Sequence, residues 1–210
     1  MLRAPSSITA KILDLCRELN PAAEPTFIRI TPAPDSAPND CFATVRYKVD
    51  AEGGRIQFGW AIWEWPGVFI EAEHHAVYEP PAGPPWLDIS PAEEPPVARR
   101  LFLPDDDATY DFQNEGNRRD NVRSALTQDP LVNEFIRLAK ERNEILNAIP
   151  GVGLITLEGV AAERFQRNQE QADLIQRQLA IRYSPQGAPC HCGSGKKFKR
   201  CHGQRRRNQH

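Results

Sequence analysis

The chain has 210 residues, of which 40% are hydrophobic and 26% are charged, and its formal net charge is −2 at pH 7. This length and composition are sufficient for one hydrophobic core with appendages. No stretch is apolar for the roughly 20 residues that a bilayer span requires, and the N-terminus lacks an apolar signal-peptide core. We therefore expect a chain that does not cross a membrane.

The charges and the cysteines are unevenly distributed. Residues 184–210 contain seven Lys or Arg and no acidic residue, so the rest of the chain holds 19 basic and 28 acidic residues. This basic tail, which includes Arg205, Arg206 and Arg207, predicts contact with RNA, an anionic surface or an acidic protein, or it serves only solubility. Five cysteines and no signal sequence predict reduced thiols and a cytoplasmic location.

The first 110 residues alternate between helix and strand patterns. An apolar stripe predicts a helix from Ser6 or Ser7 to Asn20, and the cap Asn39-Asp40 predicts a second helix over 41–51, although 45–49 also fits a strand. Strands are predicted at 27–30, 56–65, 68–78, 86–89 and 98–103. The fold class that follows is α+β, with an antiparallel β-meander and N-terminal helices.

From about residue 111 the pattern becomes helical. Asp129-Pro130 is typical of a helix start, and a longer helix is predicted over 156–183 with apolar residues near heptad spacing. That helix either lies on its own domain or pairs in a homodimer. We expect three parts: an α+β core at 1–110, a helical segment at 111–183, and a metal-binding segment with its basic tail at 184–210.

The last part contains a metal-ligand pattern. Cys190 and Cys192 are followed, after eight intervening residues, by Cys201 and His202. Three cysteines and one histidine are a standard set for structural Zn²⁺, and a segment this short needs a metal in order to fold. Glycines in the segment predict a turn whose N–H groups point at the thiolates. His191 is a competing ligand, and a redox pair or a free basic tail is the alternative interpretation.

The run Cys-His-Cys-Gly-Ser-Gly-Lys-Lys-Phe-Lys-Arg-Cys-His-Gly at 190–203 resembles the SEC-C motif. This motif is the zinc-binding tail of the bacterial export ATPase SecA and also occurs in many otherwise unrelated bacterial proteins. The resemblance covers about a tenth of the chain. It implies one structural Zn²⁺ and docking to a protein partner, and it does not imply export activity.

A second group has the residue types of nucleophilic thiol catalysis. Cys41 follows a predicted helix cap, where partial positive charge lowers a thiol pKa. His75 on one predicted strand is a candidate base, and Asp88 on the next is a candidate for orienting the imidazole. Gln57 or a backbone N–H near Cys41 is a candidate oxyanion donor. The ordinary alternatives are core packing for the cysteine, hydrogen bonding for the histidine and a turn for the aspartate.

The order and spacing of these residues are similar to the transglutaminase-like branch of the papain-like cysteine hydrolases, over about residues 35–95. That family has a cysteine at a helix start, then His-Ala-aromatic, then a turn, an aromatic residue and Asp-x-Thr/Ser. Here the segments are 75–77, His-Ala-Val, and 86–90, Trp-Leu-Asp-Ile-Ser, and Phe42 stands where a tryptophan is usual. The resemblance implies Cys41 as nucleophile, His75 as base and Asp88 as the orienting group.

Two further interpretations remain open. The same strand offers a metal site from Glu71, Glu73 and His75, which alternate onto one face, with His74 directed to the other face. At the level of function, the chain is either a cytoplasmic cysteine hydrolase or acyl-transferring enzyme, or a non-catalytic adaptor. The adaptor would dock a protein, ribosome or nucleic-acid partner through its zinc segment and basic tail.

Overall fold

The computed structural model describes residues 2–34, 36–91, 97–113, 119–149, 156–190, 192 and 194–204. The chain divides into two compact units. The sheet unit comprises Arg3–Glu64 and Ile70–Ser124, and the helical unit comprises Met1–Leu2, Trp65–Phe69 and Ala125–His210. The elements in chain order are α1 (Ala10–Leu19), β1 (Thr26–Ile30), α2 (Cys41–Glu52), β2 (Arg55–Trp65), β3 (Phe69–Glu79), β4 (Leu87–Asp88), β5 (Arg99–Pro104), β6 (Val122–Ala125), α3 (Pro130–Asn147) and α4 (Gly159–Tyr183).

The α+β class is confirmed, but the sheet is not an antiparallel meander. Its strands follow the order β2-β5-β1-β4-β3, β3 pairs again with β2, and β6 adds to β3. The five strands therefore close on themselves, and β1 runs parallel to β4. A meander pairs only strands that are neighbours in sequence. The short β1, which lies between two helices, instead pairs with two strands that come much later in the chain, and the local pattern does not encode this pairing.

The register around β1 brings two charged residues together. On one side Ile30 is paired with Asp88 of β4, and on the other side Ile28 is paired with Arg100 of β5. Positions two apart on a strand share a face. Asp88 and Arg100 therefore flank β1 on the same face of the closed sheet.

Helix α2 begins at Cys41 and packs on the sheet through Val45. Asp40 precedes the helix at the predicted cap position and its carbonyl accepts from the Thr44 N–H, but its side chain makes no capping hydrogen bond. The helix ends at Glu52, and Gly53 follows it. Val45 is fully buried with Ala76, Tyr78 and Ile89. Gly54, which follows Gly53 after the end of the helix, has φ +91°, and a Cβ there would lie 2.2 Å from the Glu79 carbonyl oxygen. The position therefore requires glycine, which fixes where the chain leaves α2 and enters β2.

Helix α1 is shorter than predicted. It begins at Ala10, and the Thr9 hydroxyl, rather than Ser6 or Ser7, accepts a hydrogen bond from the Ile12 N–H. Cys16 is buried on its apolar stripe. Burial and the charge of Glu24 raise the pKa of this thiol to about 12, so Cys16 is an inert core residue.

The helical unit is built on α3 and α4. The Asp129 side chain caps α3 by accepting from the Leu131 N–H, with Pro130 at the first helical position as predicted. Val122–Ala125, which lies in the stretch predicted to be helical, forms β6 instead. The apolar seam of α4 is buried within its own chain: Ile175 and Leu179 pack with Val132, Leu138 and the hairpin tip Trp65–Phe69. Among the described residues, none of the helices combines the length and the apolar character of a membrane span.

Candidate functional site

The four predicted metal ligands lie together at the C-terminal end of the helical unit. The ligand atoms of Cys190, Cys192, Cys201 and His202 are all within 4.8 Å of one another. Cys190 Sγ lies 3.2 Å from His202 Nδ1, and Cys192 Sγ lies 3.6 Å from Cys201 Sγ. A tetrahedron with Zn–S bonds of about 2.3 Å has edges of about 3.8 Å. The cage therefore has the size and the donor set of a tetrahedral metal site.

Backbone hydrogen bonds hold the segment that carries the four ligands. The Cys190 N–H donates to the Lys196 carbonyl, and the Phe198 N–H donates to the Ala188 carbonyl, which closes a small loop. Burial raises the pKa of Cys190, but the backbone N–H groups of Cys192 and His202 act against it and lower that pKa to about 7. The predicted N–H groups directed at a thiolate are thus present. His191 and Gly193 lie outside the described residues.

The second predicted site lies in the sheet unit and contains all three candidate residues. Cys41 is the first residue of α2, and Asn39, two residues before it, has φ +63°, a left-handed conformation that few residues other than glycine adopt. His75 lies on β3 and Asp88 on β4. All three are buried, with the Asp88 side chain fully enclosed.

His75 bridges the thiol and the carboxylate. Its Nε2 lies 3.2 Å from Asp88 Oδ2. Burial opposes protonation of His75, but the charge of the Cys41 thiolate and hydrogen bonds to Asp88 and to Cys41 raise the pKa of the imidazole. For Asp88, burial favours the neutral acid, yet His75, Arg100 and the Ser90 N–H lower the pKa. The arrangement therefore favours a protonated His75 imidazole beside an ionised Asp88 carboxylate.

One functional candidate was not predicted, namely Arg100. Its Nη1 lies 2.7 Å from Asp88 Oδ2 and 3.1 Å from His75 Nε2, and its side chain is buried. The sequence signal is a pair of arginines that enters an apolar run, Arg99 to Leu103. Alternation sends one arginine of such a pair outward and one inward. Arg99 is exposed, with its guanidinium 4.3 Å from the centre of the Phe27 ring, whereas Arg100 is enclosed.

The alternative metal site on β3 does not form. Among the described residues, the only group of three or more His, Cys, Asp or Glu that could hold a metal is the C-terminal one. Glu71 pairs instead with Arg123, and Glu73 accepts the Trp63 N–H at 2.6 Å. His74 lies on the other side, as expected, in a buried pocket where its Nε2 is 2.7 Å from the Ala108 carbonyl oxygen and its ring contacts Phe42.

Gln57 is also engaged elsewhere. Its side-chain amide nitrogen donates to the Phe58 carbonyl and to Asp106 Oδ1, both at 2.9 Å. Both amide hydrogens are therefore committed. The other oxyanion donors that the sequence suggested are the backbone N–H groups at the start of α2. The Asp40 side chain makes no capping hydrogen bond to them.

Comparison with known proteins identifies one segment. Residues 188–204 match the family model of the SEC-C motif. This match covers the four ligands and confirms the predicted motif. No curated protein and no solved structure matches the chain.

Proposed function

We propose that this protein is a cysteine hydrolase or acyl-transferring enzyme with a transglutaminase-like site, in which Cys41 is the nucleophile, His75 the proton carrier and Asp88 the orienting carboxylate. The observation that carries the proposal is the double contact of His75, with Asp88 on one side and Cys41 on the other. Nucleophilic thiol catalysis requires this order of groups. Because Nε2 is taken by Asp88, Nδ1 is the ring nitrogen left for the thiol.

The proposed reaction begins with the thiolate of Cys41. Its sulfur forms a bond to the carbonyl carbon of an amide or ester, and the carbonyl electron pair moves to oxygen. His75 then gives its proton to the leaving nitrogen or oxygen as that bond breaks, which leaves a thioester on Cys41. His75 next takes a proton from water or from an acceptor nucleophile, which attacks the thioester carbonyl carbon. The carbon–sulfur bond then breaks and Cys41 leaves as the thiolate, which restores the starting thiolate–imidazolium pair.

The developing oxyanion needs hydrogen-bond donors in place before the reaction. We propose the backbone N–H groups at the start of α2. The first N–H groups of a helix have no partner within the helix and carry its partial positive charge. Asp40 leaves them without a side-chain cap.

The test is the reactivity of Cys41 toward iodoacetamide, followed by peptide mass spectrometry on the zinc-loaded protein at pH 6 and 7. We expect Cys41 to be alkylated at least tenfold faster than a peptide thiol, because the proposed reaction requires an activated thiol beside a protonated imidazole. Cys16 is the internal control and should stay unlabelled. A rate equal to that of a peptide thiol would remove the basis of the enzyme proposal.

We propose zinc as the metal of the C-terminal site and a docking role for that segment. The four protein ligands fill a tetrahedron and leave no open position for substrate, which is typical of structural sites. Free cysteines throughout the described chain support a reducing, cytoplasmic location.

A second candidate function, a non-catalytic adaptor, is favoured by the charge on this segment. Lys196, Lys197, Lys199 and Arg200 are exposed within five residues of one another, a pattern suited to an acidic protein or RNA. Arg205–Arg207 lie outside the described residues. If Cys41 has ordinary reactivity while charge reversal of these four residues abolishes capture of a partner, the adaptor function is the better account.

A homodimer through α4 would have to use exposed positions such as Val160 and Leu174, because the apolar seam of α4 is already covered within the chain.

A further inference from the structure

Arg100 occupies an unusual place for a permanent cation. Its side chain is 4% exposed, and its guanidinium carbon lies 4.9 Å from the centre of the Trp63 ring. Its Nε is buried without a hydrogen-bond partner among the described residues. An arginine that served only to fill space would not leave a buried donor unpaired. Its position is instead dictated by Asp88, at 2.7 Å.

Arg100 and His75 compete for one oxygen. Both contact Asp88 Oδ2, while Asp88 Oδ1 accepts the Ser90 N–H at 3.0 Å. Arg100 Nη1 is also 3.1 Å from His75 Nε2, so a fixed positive charge faces the imidazole directly. The charged and titratable groups facing His75 are therefore Cys41 from α2, Asp88 from β4 and Arg100 from β5, with His74 as its neighbour on β3.

We propose that Arg100 is a positioning residue that sets the acidity of the Cys41–His75 pair by sharing Asp88 with His75. This inference rests on the proposed function. It identifies Arg100 as the residue that sets the pH range over which the Cys41–His75 pair ionises. If Asp88 served His75 alone, the imidazolium would hold its proton more tightly. It would then be a poorer acid toward the leaving group, which must take that proton as its bond to carbon breaks. A buried cation shifts both members of the pair toward deprotonation.

The experiment measures the alkylation rate of Cys41 by iodoacetamide from pH 4 to pH 10 in the full-length, zinc-loaded protein. Wild type should show two limbs, one for each ionisation of the thiol–imidazole pair. In Arg100→Gln, which removes the charge and keeps hydrogen-bond donors, both limbs should move to higher pH by about one unit. In Arg100→Lys, which keeps the charge, both limbs should stay close to wild type.

Unchanged limbs in Arg100→Gln would overturn the proposal, as would an equal shift in Arg100→Lys. A purely structural role for Arg100 would change melting temperature without moving both limbs in the same direction. If the wild type itself shows one limb at the pH of an ordinary thiol, the enzyme proposal fails; two limbs with no shift in the variant refute only the role of Arg100.

A measurement on the wild type covers the case in which Arg100→Gln does not fold. The side-chain nitrogen resonances of Arg100 should move at the same two pH values as the alkylation limbs, because the guanidinium contacts both His75 and Asp88. Resonances that stay constant across those pH values would show that Arg100 is not coupled to the pair.

Discussion

At the scale of the residue, His74 and His75 show how one strand gives adjacent histidines opposite properties. His75 faces anions, which raise its pKa despite burial. For His74, burial dominates and lowers the pKa, although the Ala108 carbonyl opposes this. The two histidines therefore form a matched pair for testing the electrostatics of the site.

Replacing His75 with Gln is expected to cost more stability at pH 5 than at pH 9, by on the order of 1–3 kcal/mol. Because the pKa of His75 is raised in the folded state, its contribution to the free energy of unfolding is fully present below the unfolded-state pKa of 6.5. That contribution is lost as the pH rises through the folded-state pKa. Asp88, whose pKa is lowered from 3.8, keeps its contribution above pH 3.8 and loses it as the pH falls. Urea unfolding of both proteins between pH 5 and pH 9 measures the difference.

The control for this prediction is His74→Gln. A lowered pKa means that His74 loses its contribution as the pH falls below 6.5, so this variant should cost more at pH 9 than at pH 5. The same pH trend in both variants would contradict the assignment of His75 to the charged cluster.

At the scale of the element, the C-terminal metal segment depends on its ligands for its fold. Among its described residues, the buried apolar side chains are Phe198 and the ligand Cys190. The short turn at Phe198–Arg200 is too small to be stable alone. Metal binding must therefore supply most of its folding free energy.

Replacing Cys201 with Ser should release the metal, because it removes one of four ligands that are within 4.8 Å of one another. We expect about one zinc per chain in the wild type and well under half of that in the variant, measured by atomic emission after gel filtration. Cys16→Ala, which also removes one cysteine, is the control and should retain the full metal content. Full retention in Cys201→Ser would contradict the ligand assignment.

Between α3 and α4, a buried amide fixes the contact of the two helices. Asn168 is buried, and its side-chain nitrogen donates to the Leu138 carbonyl at 3.0 Å and to Glu141 at 3.2 Å. A polar residue in an apolar seam specifies register at some cost in stability. Asn168 lies in the helix predicted over 156–183, and only the structure shows which groups its side chain bonds.

Asn168→Ala should destabilise the protein by about 1–2 kcal/mol, because the truncation removes both hydrogen bonds of the buried amide. Gln178→Ala, an exposed position on the same helix, should change stability by less than about 0.5 kcal/mol. Denaturant unfolding monitored by circular dichroism gives both values. Equal effects in the two variants would show that the amide contributes nothing specific.

At the scale of the whole molecule, the two candidate sites belong to different compact units. Cys41, His75, Asp88 and Arg100 all lie in the sheet unit, and the four metal ligands all lie in the helical unit. The described contacts of the thiol site, those of His75 and Arg100 with Asp88 and of Asp88 with Ser90, all lie within the sheet unit. The two proposed roles are therefore expected to be separable.

Ending the chain at Tyr183 should leave the pH dependence of Cys41 alkylation unchanged within about twofold in rate, because the charged groups described next to His75, namely Asp88 and Arg100, belong to the sheet unit. The same truncation should abolish zinc binding. Iodoacetamide kinetics on the truncated and full-length proteins measure the effect. A shift in either limb would show that the C-terminal part influences the thiol site.

Features that depend on local chemistry could be predicted from the residues alone. The metal ligands follow from residue type and close spacing, which is why the SEC-C motif could be predicted and was confirmed. The bounds of α2, Cys41–Glu52, lie close to the helix predicted over 41–51, and the glycines after Glu52 end it because chain reversal is local, although the Asp40 side chain makes no cap. The α+β class follows from the change of hydrophobic period along the chain.

Features that depend on pairing between distant segments could not be predicted from local patterns. The closed sheet with its parallel β1–β4 pair arises from long-range register, and the same register brings Arg100 to Asp88 on either side of β1. It also commits Gln57, Glu71 and Glu73 to partners that no local pattern reveals. A strand pattern fixes which residues share a face, but the partner strand and its register fix which charges meet, and these depend on the packing of the whole sheet.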